Sequence, residues 1–280
     1  MKENFQKAQE IKEKLKEYAI GIIKPGENLV EIAEKIEKKI LELECKPAFP
    51  ISLAIDEIAA HYNPQPEDKA KGLLKVDLGF IYKNIIIDFA FSIDLTKEQK
   101  YKKLIESSEK ALESVRGIIK KGTELNKIGK KIQEIISSYR FAPIRNLAGH
   151  SLNLKEVHAG ITIPNYDNGN TKQLEQGLFA VEPFSTTGEG VVIDGKKSGI
   201  YSLIEKKPIR DPLARKIIDF IEKTYSTLPF CDRWIIKEFG SKAKFSLKLL
   251  EQEGILKNYP ILIEKSKQPV AHTEDTFLIE

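Results

Sequence analysis

Two segments of this chain can be laid over one another without a gap, and that self-similarity constrains the fold more than any local pattern. Residues 19–48, AIGIIKPGENLVEIAEKIEKKILELECKPA, set over residues 115–144, VRGIIKKGTELNKIGKKIQEIISSYRFAPI, put Gly21, Ile22, Ile23, Lys24, Gly26, Leu29, Ile32, Lys35, Ile36, Ile40 and Pro47 on their own kind. Ile and Lys match by composition in any two amphipathic helices; the shared Gly-x-x-x-x-Gly and the Pro do not. Phe5, Ala8, Ile11, Leu15, Tyr18 and Ile22 recur at helical spacing, and Asn28 with Glu31 reads as a capping box opening a second helix. The later pair is predicted from Thr96, with Leu104, Ala111, Leu112, Val115 and Ile119 on one face, and then through Leu125, Ile128, Ile132 and Ile136. A duplicated helix pair predicts an α+β fold with pseudo-twofold symmetry.

The segments after the two helix pairs match as well. FPISLAIDEIAAHYNP and GLLKVDLGF in the first half correspond to NLAGHSLNLKEVHAGITIP and GLFAVEPF in the second, so His61 falls opposite His158 and Asp77 opposite Glu182. KVDLGFIYKNIIIDFAF reads as two strands around a short turn, which lets Asp77 and Asp88 meet on one face. Carboxylates buried among apolar strands repel one another and lose hydration, so their recurrence at matching points suggests a shared metal site. The Glu182 strand lacks a local hairpin partner. The chain instead runs through DPLARKIIDFIEKTYS and SLKLLEQEGILKNYP before AHTEDTFLIE arrives. We therefore expect residues 205–258 to be a helical, winged-helix-like subdomain inserted into a catalytic domain of residues 1–204 and 259–280. On that plan Glu280 is the counterpart of Asp88, and His150 adds a nitrogen donor. Carboxylate oxygens with one imidazole suit Mn, Fe, Co or Zn, and so many carboxylates suggest two ions. Two ions that activate a water and hold a carbonyl point to metal-assisted hydrolysis.

Composition narrows the setting. Forty-five Lys and Arg against 41 Asp and Glu leave a net charge of +4, too little to signal specific DNA binding or a membrane surface. Cys45 and Cys231 stand far apart with no zinc spacing, which suits a reducing compartment. No apolar run approaches the roughly 18 residues of a membrane span, and a cytoplasmic location is expected.

In order along nearly the whole chain, the words KPAFP, DEIAAHYNP, KVDLG, NLAGH, HAGITIPN, VEPF, STLPF and the terminal LIE resemble the type 2 methionine aminopeptidases, in an archaeal-like short form. These belong to the wider pita-bread metallopeptidases, whose antiparallel sheet is covered by helix pairs. The resemblance implies removal of N-terminal methionine from nascent polypeptides with a small second residue, by dinuclear-metal-activated hydroxide attack on the first peptide carbonyl. It implies Asp77, Asp88, His150, Glu182 and Glu280 as metal ligands, Asp88 and Glu280 bridging. Asp77 would complete one ion, and His150 with Glu182 the other. His61 and His158 would contact the substrate, Glu182 would carry a proton to the leaving amine, and Phe49 and Val157 would wall the methionine pocket. Two departures stand out. Asp275 occupies the place of His in the family's EHT, and ending at Glu280 would put an α-carboxylate beside the last ligand. The rival readings are a non-catalytic ribosome- or nucleic-acid-binding relative and an Xaa-Pro peptidase. The Lys-rich insert is the expected place for ribosome contact.

Overall fold

The computed structural model describes residues 1–154 and 156–280. The first half runs α1 (Lys2–Ile22), α2 (Leu29–Glu42), β1 (Lys46–Pro47), β2 (Ser52–Ile55), β3 (Ile58–Ala60), β4 (Leu73–Tyr82) and β5 (Ile85–Asp94). The second runs α3 (Lys102–Arg116), α4 (Leu125–Ser138), β6 (Ala142–Pro143), β7 (Ala148–Leu152), β8 (Thr162–Pro164), β9 (Gly177–Val181) and β10 (Phe184–Thr186). The chain continues through β11 (Val192–Leu203), α5 (Pro212–Thr224), β12 (Phe230–Cys231), α6 (Asp232–Phe239), α7 (Ala243–Gln252), β13 (Leu256–Glu264), β14 (Val270–His272) and β15 (Asp275–Ile279).

Strand pairing repeats between the halves. β4 lies between β5 and β2, all antiparallel, and β9 lies between β15 and β7 in the same sense, with β8 added beside β7. Side chains alternate along a strand, so each sheet presents one face to its helix pair and the other to the middle of the molecule. Val76, Leu78 and Phe80 of β4, with Ile85, Ile87, Phe89 and Phe91 of β5, pack with Leu15, Ile32 and Ile36 of α1 and α2. Phe179, Val181 and Ile279 pack with Ala111, Leu112, Ile128 and Ile132 of α3 and α4. Each of the buried Val, Leu, Ile and Phe side chains among these contributes about 1.5–3 kcal/mol. Asp77 and Asp88 belong to the opposite alternation, which turns them inward between the halves.

Local chemistry sets the element ends. The Asn28 carboxamide accepts from the Glu31 backbone N–H at 3.1 Å and starts α2. The second helix pair begins later than its Thr96 suggested. Asp94 accepts from the backbone N–H groups of Thr96 and Tyr101 and from the Thr96 hydroxyl, which turns the chain before α3 starts at Lys102. Helices α5–α7 pack around Ile217, Ile221, Phe230, Ile235 and Leu247, a cluster that also takes Tyr201 of β11 and Leu256 of β13. Cys45 and Cys231 are buried free thiols. Among the described residues, no helix is long and apolar enough to cross a membrane.

Candidate metal centre and substrate cavity

The two halves are sewn together where the inward acids sit. A backbone bridge joins Ala90 of β5 to Glu274 at the entry to β15: the Glu274 N–H donates to the Ala90 carbonyl at 3.0 Å and the Ala90 N–H returns the bond at 3.3 Å. Two residues on, the Asp88 N–H donates to the Thr276 hydroxyl, which donates to the Asp88 carbonyl, both at 2.8 Å. These contacts bring Asp88 and Glu274 together. The register of β9 with β15, Asp275 opposite Val181, sets Glu274 beside Glu182. His150 reaches the cluster from β7, where it pairs with Ala180 of β9.

Side-chain distances define two overlapping groups. Donor atoms of Asp88, His150 and Glu274 lie within 4.8 Å of one another, as do those of Glu182, His272 and Glu274. His150 Nε2 is 3.7 Å from Asp88 Oδ2 and 3.9 Å from Glu182 Oε1. His272 Nε2 is 3.6 Å from Glu182 Oε2 and 3.4 Å from Glu274 Oε2. Asp77 lines the same cavity and belongs to neither triplet among the described residues. The cavity, about 310 Å³, is also walled by Phe49, His61, Val157, His158, Phe184 and Tyr259.

Burial without compensation dominates the electrostatics. Loss of solvation pushes the carboxyls of Asp88, Glu182 and Glu274 well up, and neighbouring carboxylates push them further. Asp77 is raised to about 6 by loss of solvation, with His272 opposing the rise. Burial lowers His150 to about 3 and both His61 and His272 to about 4, so the imidazoles are neutral and keep a lone pair. Asp88 Oδ1 and Glu274 Oε1 are buried with no hydrogen-bond partner among the described residues. Such atoms cost about 1–3 kcal/mol or more each unless something binds them. Hard oxygens, neutral imidazole and orphaned acceptors in one enclosure fit a divalent cation.

Of the residues singled out in the sequence, Asp77, Asp88, His150, Glu182, His61, His158, Phe49 and Val157 all line this cavity. Glu280 does not. In the β9–β15 ladder Ile279 stands opposite Gly177, at the far end from Glu182, and Glu280 lies beyond it. Six residues of extended chain separate it from Glu274, roughly 20 Å at about 3.3 Å per residue. Its carboxylate is more than half exposed and pairs with Lys2 Nζ at 2.8 Å. The expected α-carboxylate beside the site falls with it. Glu274 occupies the place foreseen for Glu280, and the placing of Asp275 on the His of EHT already marked the preceding Glu. His272 is a further member of the cluster, and in sequence a lone His carries no signal until strand pairing sets it next to two acids.

Paired antiparallel units under helix pairs form the pita-bread fold, and the enclosed cluster of carboxylates and neutral imidazoles fits a metal-dependent hydrolase. The chain belongs to Metallopeptidase family M24, whose model matches residues 3–226. It is 40% identical over 282 aligned residues to a methionine aminopeptidase of Methanocaldococcus jannaschii, covering 99% of this chain and 95% of that protein. A solved structure of a thermophilic Arx1 superposes with a TM-score of 0.81 at 16% identity, over 95% of this chain and 84% of that one. The methionine aminopeptidase of Thermotoga maritima gives 0.66 at 22% identity, over 95% and 86%. These two likenesses speak for the fold alone.

Proposed function

We propose that this chain removes the N-terminal methionine from peptides and nascent polypeptides whose second residue is small. The observation that carries this reading is the 40% identity, over 99% of the chain, to a protein named methionine aminopeptidase. The cavity supports it, since the cluster of acids and imidazoles lies beside an apolar wall of Phe49 and Val157, suited to an unbranched thioether.

In this reading Asp77, Asp88, His150, Glu182 and Glu274 hold two divalent ions, drawn from Co, Mn, Fe or Zn. Glu274, which belongs to both triplets, would with Asp88 be shared between the ions; Asp77 would complete one position, His150 and Glu182 the other. Charge balance supports two ions: four carboxylates with neutral imidazoles carry four negative charges, which two dications cancel. When bound, such ions lower the pKa of a water and polarise a carbonyl. Glu182 moves the proton from the attacking water to the leaving amine. His61 Nδ1 lies 3.2 Å from the Pro260 carbonyl, which can only accept, so Nδ1 carries the proton and Nε2 is an acceptor for a peptide N–H. His158, its ring 4.4 Å from that of His150, donates to the substrate carbonyl.

Residues 205–258 form, in this reading, an insert that shapes the cavity mouth, since Pro229 lines the cavity and Pro229 and Lys257 line the depression outside it. Cytoplasmic placement and ribosome contact through its lysines belong to the same reading. The test is hydrolysis of Met-Ala-Ser, Leu-Ala-Ser, Pro-Ala-Ser and Met-Lys-Ser by chelator-stripped protein reloaded with each metal. Metal-dependent release of methionine from Met-Ala-Ser alone is expected. Two metals bound with no peptide cleaved would favour the non-catalytic rival, and cleavage of an Xaa-Pro peptide the prolyl one.

A further inference from the structure

His272 is 1% exposed, and neither of its ring nitrogens has a hydrogen-bond partner among the described residues. A histidine that merely fills a core normally satisfies at least one ring nitrogen, since leaving both dry is costly. Its position is nonetheless tightly held. The backbone pairs with Phe184 of β10, the His272 N–H donates to the Ser92 hydroxyl at 2.8 Å, and that hydroxyl donates to the His272 carbonyl at 2.8 Å. The imidazole lies flat on the Phe184 ring, with centroids 3.8 Å apart and planes 12° from parallel. That stacking aims Nε2 at Glu182 Oε2 and Glu274 Oε2, at 3.6 and 3.4 Å. Neither approach is a hydrogen bond. The two separations match the edge of a coordination polyhedron: two donors about 2.1 Å from one ion at a tetrahedral angle stand about 3.4 Å apart.

We propose that His272 Nε2 is a metal ligand in its own right, binding the ion held between Glu182 and Glu274 and giving the centre a second imidazole besides His150. This rests on the two-metal reading above. A second neutral nitrogen adds a borderline-soft donor without adding charge, and it shifts the preference of that position toward Zn, Co or Fe over Mn.

The test reads the ligand directly. In the intact chain loaded with Co(II), proton NMR in H2O is expected to show two strongly shifted, exchangeable imidazole N–H resonances, one each from His150 and His272. His272→Gln, which keeps a hydrogen-bond donor of similar reach, is expected to remove one of them and to weaken one of the two Co(II) binding steps about tenfold or more in calorimetry. A single shifted N–H resonance in the unsubstituted chain would overturn the proposal, and needs no variant that folds. So would a His272→Gln chain that keeps both resonances and both affinities. Failure of the unsubstituted chain to bind Co(II) at all would sink the underlying two-metal reading instead.

Discussion

Glu274 and Glu280 separate two accounts of this site at the scale of one side chain. Glu274 is 5% exposed, with one oxygen orphaned, and shares both candidate triplets; Glu280 reaches into solvent toward Lys2. We predict that Glu274→Gln weakens metal binding by more than the roughly 10–100-fold typical of supporting residues, while Glu280→Gln leaves metal content and peptidase rate within about twofold. Metal titration of both variants with peptide assays checks this. The raised acids also set a pH dependence. Protons compete with metal for these acids, so affinity should fall as pH drops through 6, where Asp77 takes up its proton. It should go on rising above 6 as Asp88, Glu182 and Glu274, held well above the usual carboxylate range, lose theirs. Calorimetry at pH 5, 6 and 7, in buffers of different ionisation enthalpy, should show proton release on binding near pH 6; pH-independent affinity would contradict it.

At the scale of elements, the strands act as jigs for the donors. A Cβ on Gly149, the residue before His150, would stand 2.4 Å from the Ala180 carbonyl oxygen, a backbone atom with little room to yield. Gly149→Ala should therefore prise β7 from β9, costing about 1–3 kcal/mol in urea unfolding and displacing His150. Asp275 performs a joining task next to Glu274. Its carboxylate takes Lys12 of α1 at 2.8 Å and Arg116 of α3 at 2.5 Å, which ties a helix from each half to β15. Asp275→Asn should destabilise by about 3 kcal/mol, near the low end for breaking a buried pair because Arg116 is 45% exposed. Urea denaturation with Lys12→Met in a double-mutant cycle would isolate the Lys12 share. These elements were partly legible beforehand. Asp77 and Asp88 could be paired because a short turn leaves few registers, whereas the start of α3 could not be read, since the Asp94 side chain delays it.

For the whole molecule, the cluster of acids and imidazoles lies at the seam between two similar halves, and its occupation by metal should govern stability. Free ion at about a hundred times its dissociation constant adds about 2.7 kcal/mol, so chelation should lower Tm by roughly 5 °C or more in a chain of this size. Scanning calorimetry before and after chelation, with readdition, measures it; an unchanged Tm would mean that the acids are neutralised by protons alone. By itself, the sequence determined the duplicated helix pairs and the inward turn of Asp77 and Asp88, because periodicity and short turns are local properties, and its motifs pointed to His150 and Glu182, which the fold brings to the same cluster. Tertiary structure decided that Glu274, marked in the sequence only as the Glu before Asp275, joins the acid cluster while Glu280 does not, and it alone set His272 beside that cluster. The reason is physical: β15 pairs with β9 across nearly a hundred residues, no turn sets that register, and in an antiparallel ladder the register settles which acid reaches the seam and which reaches water.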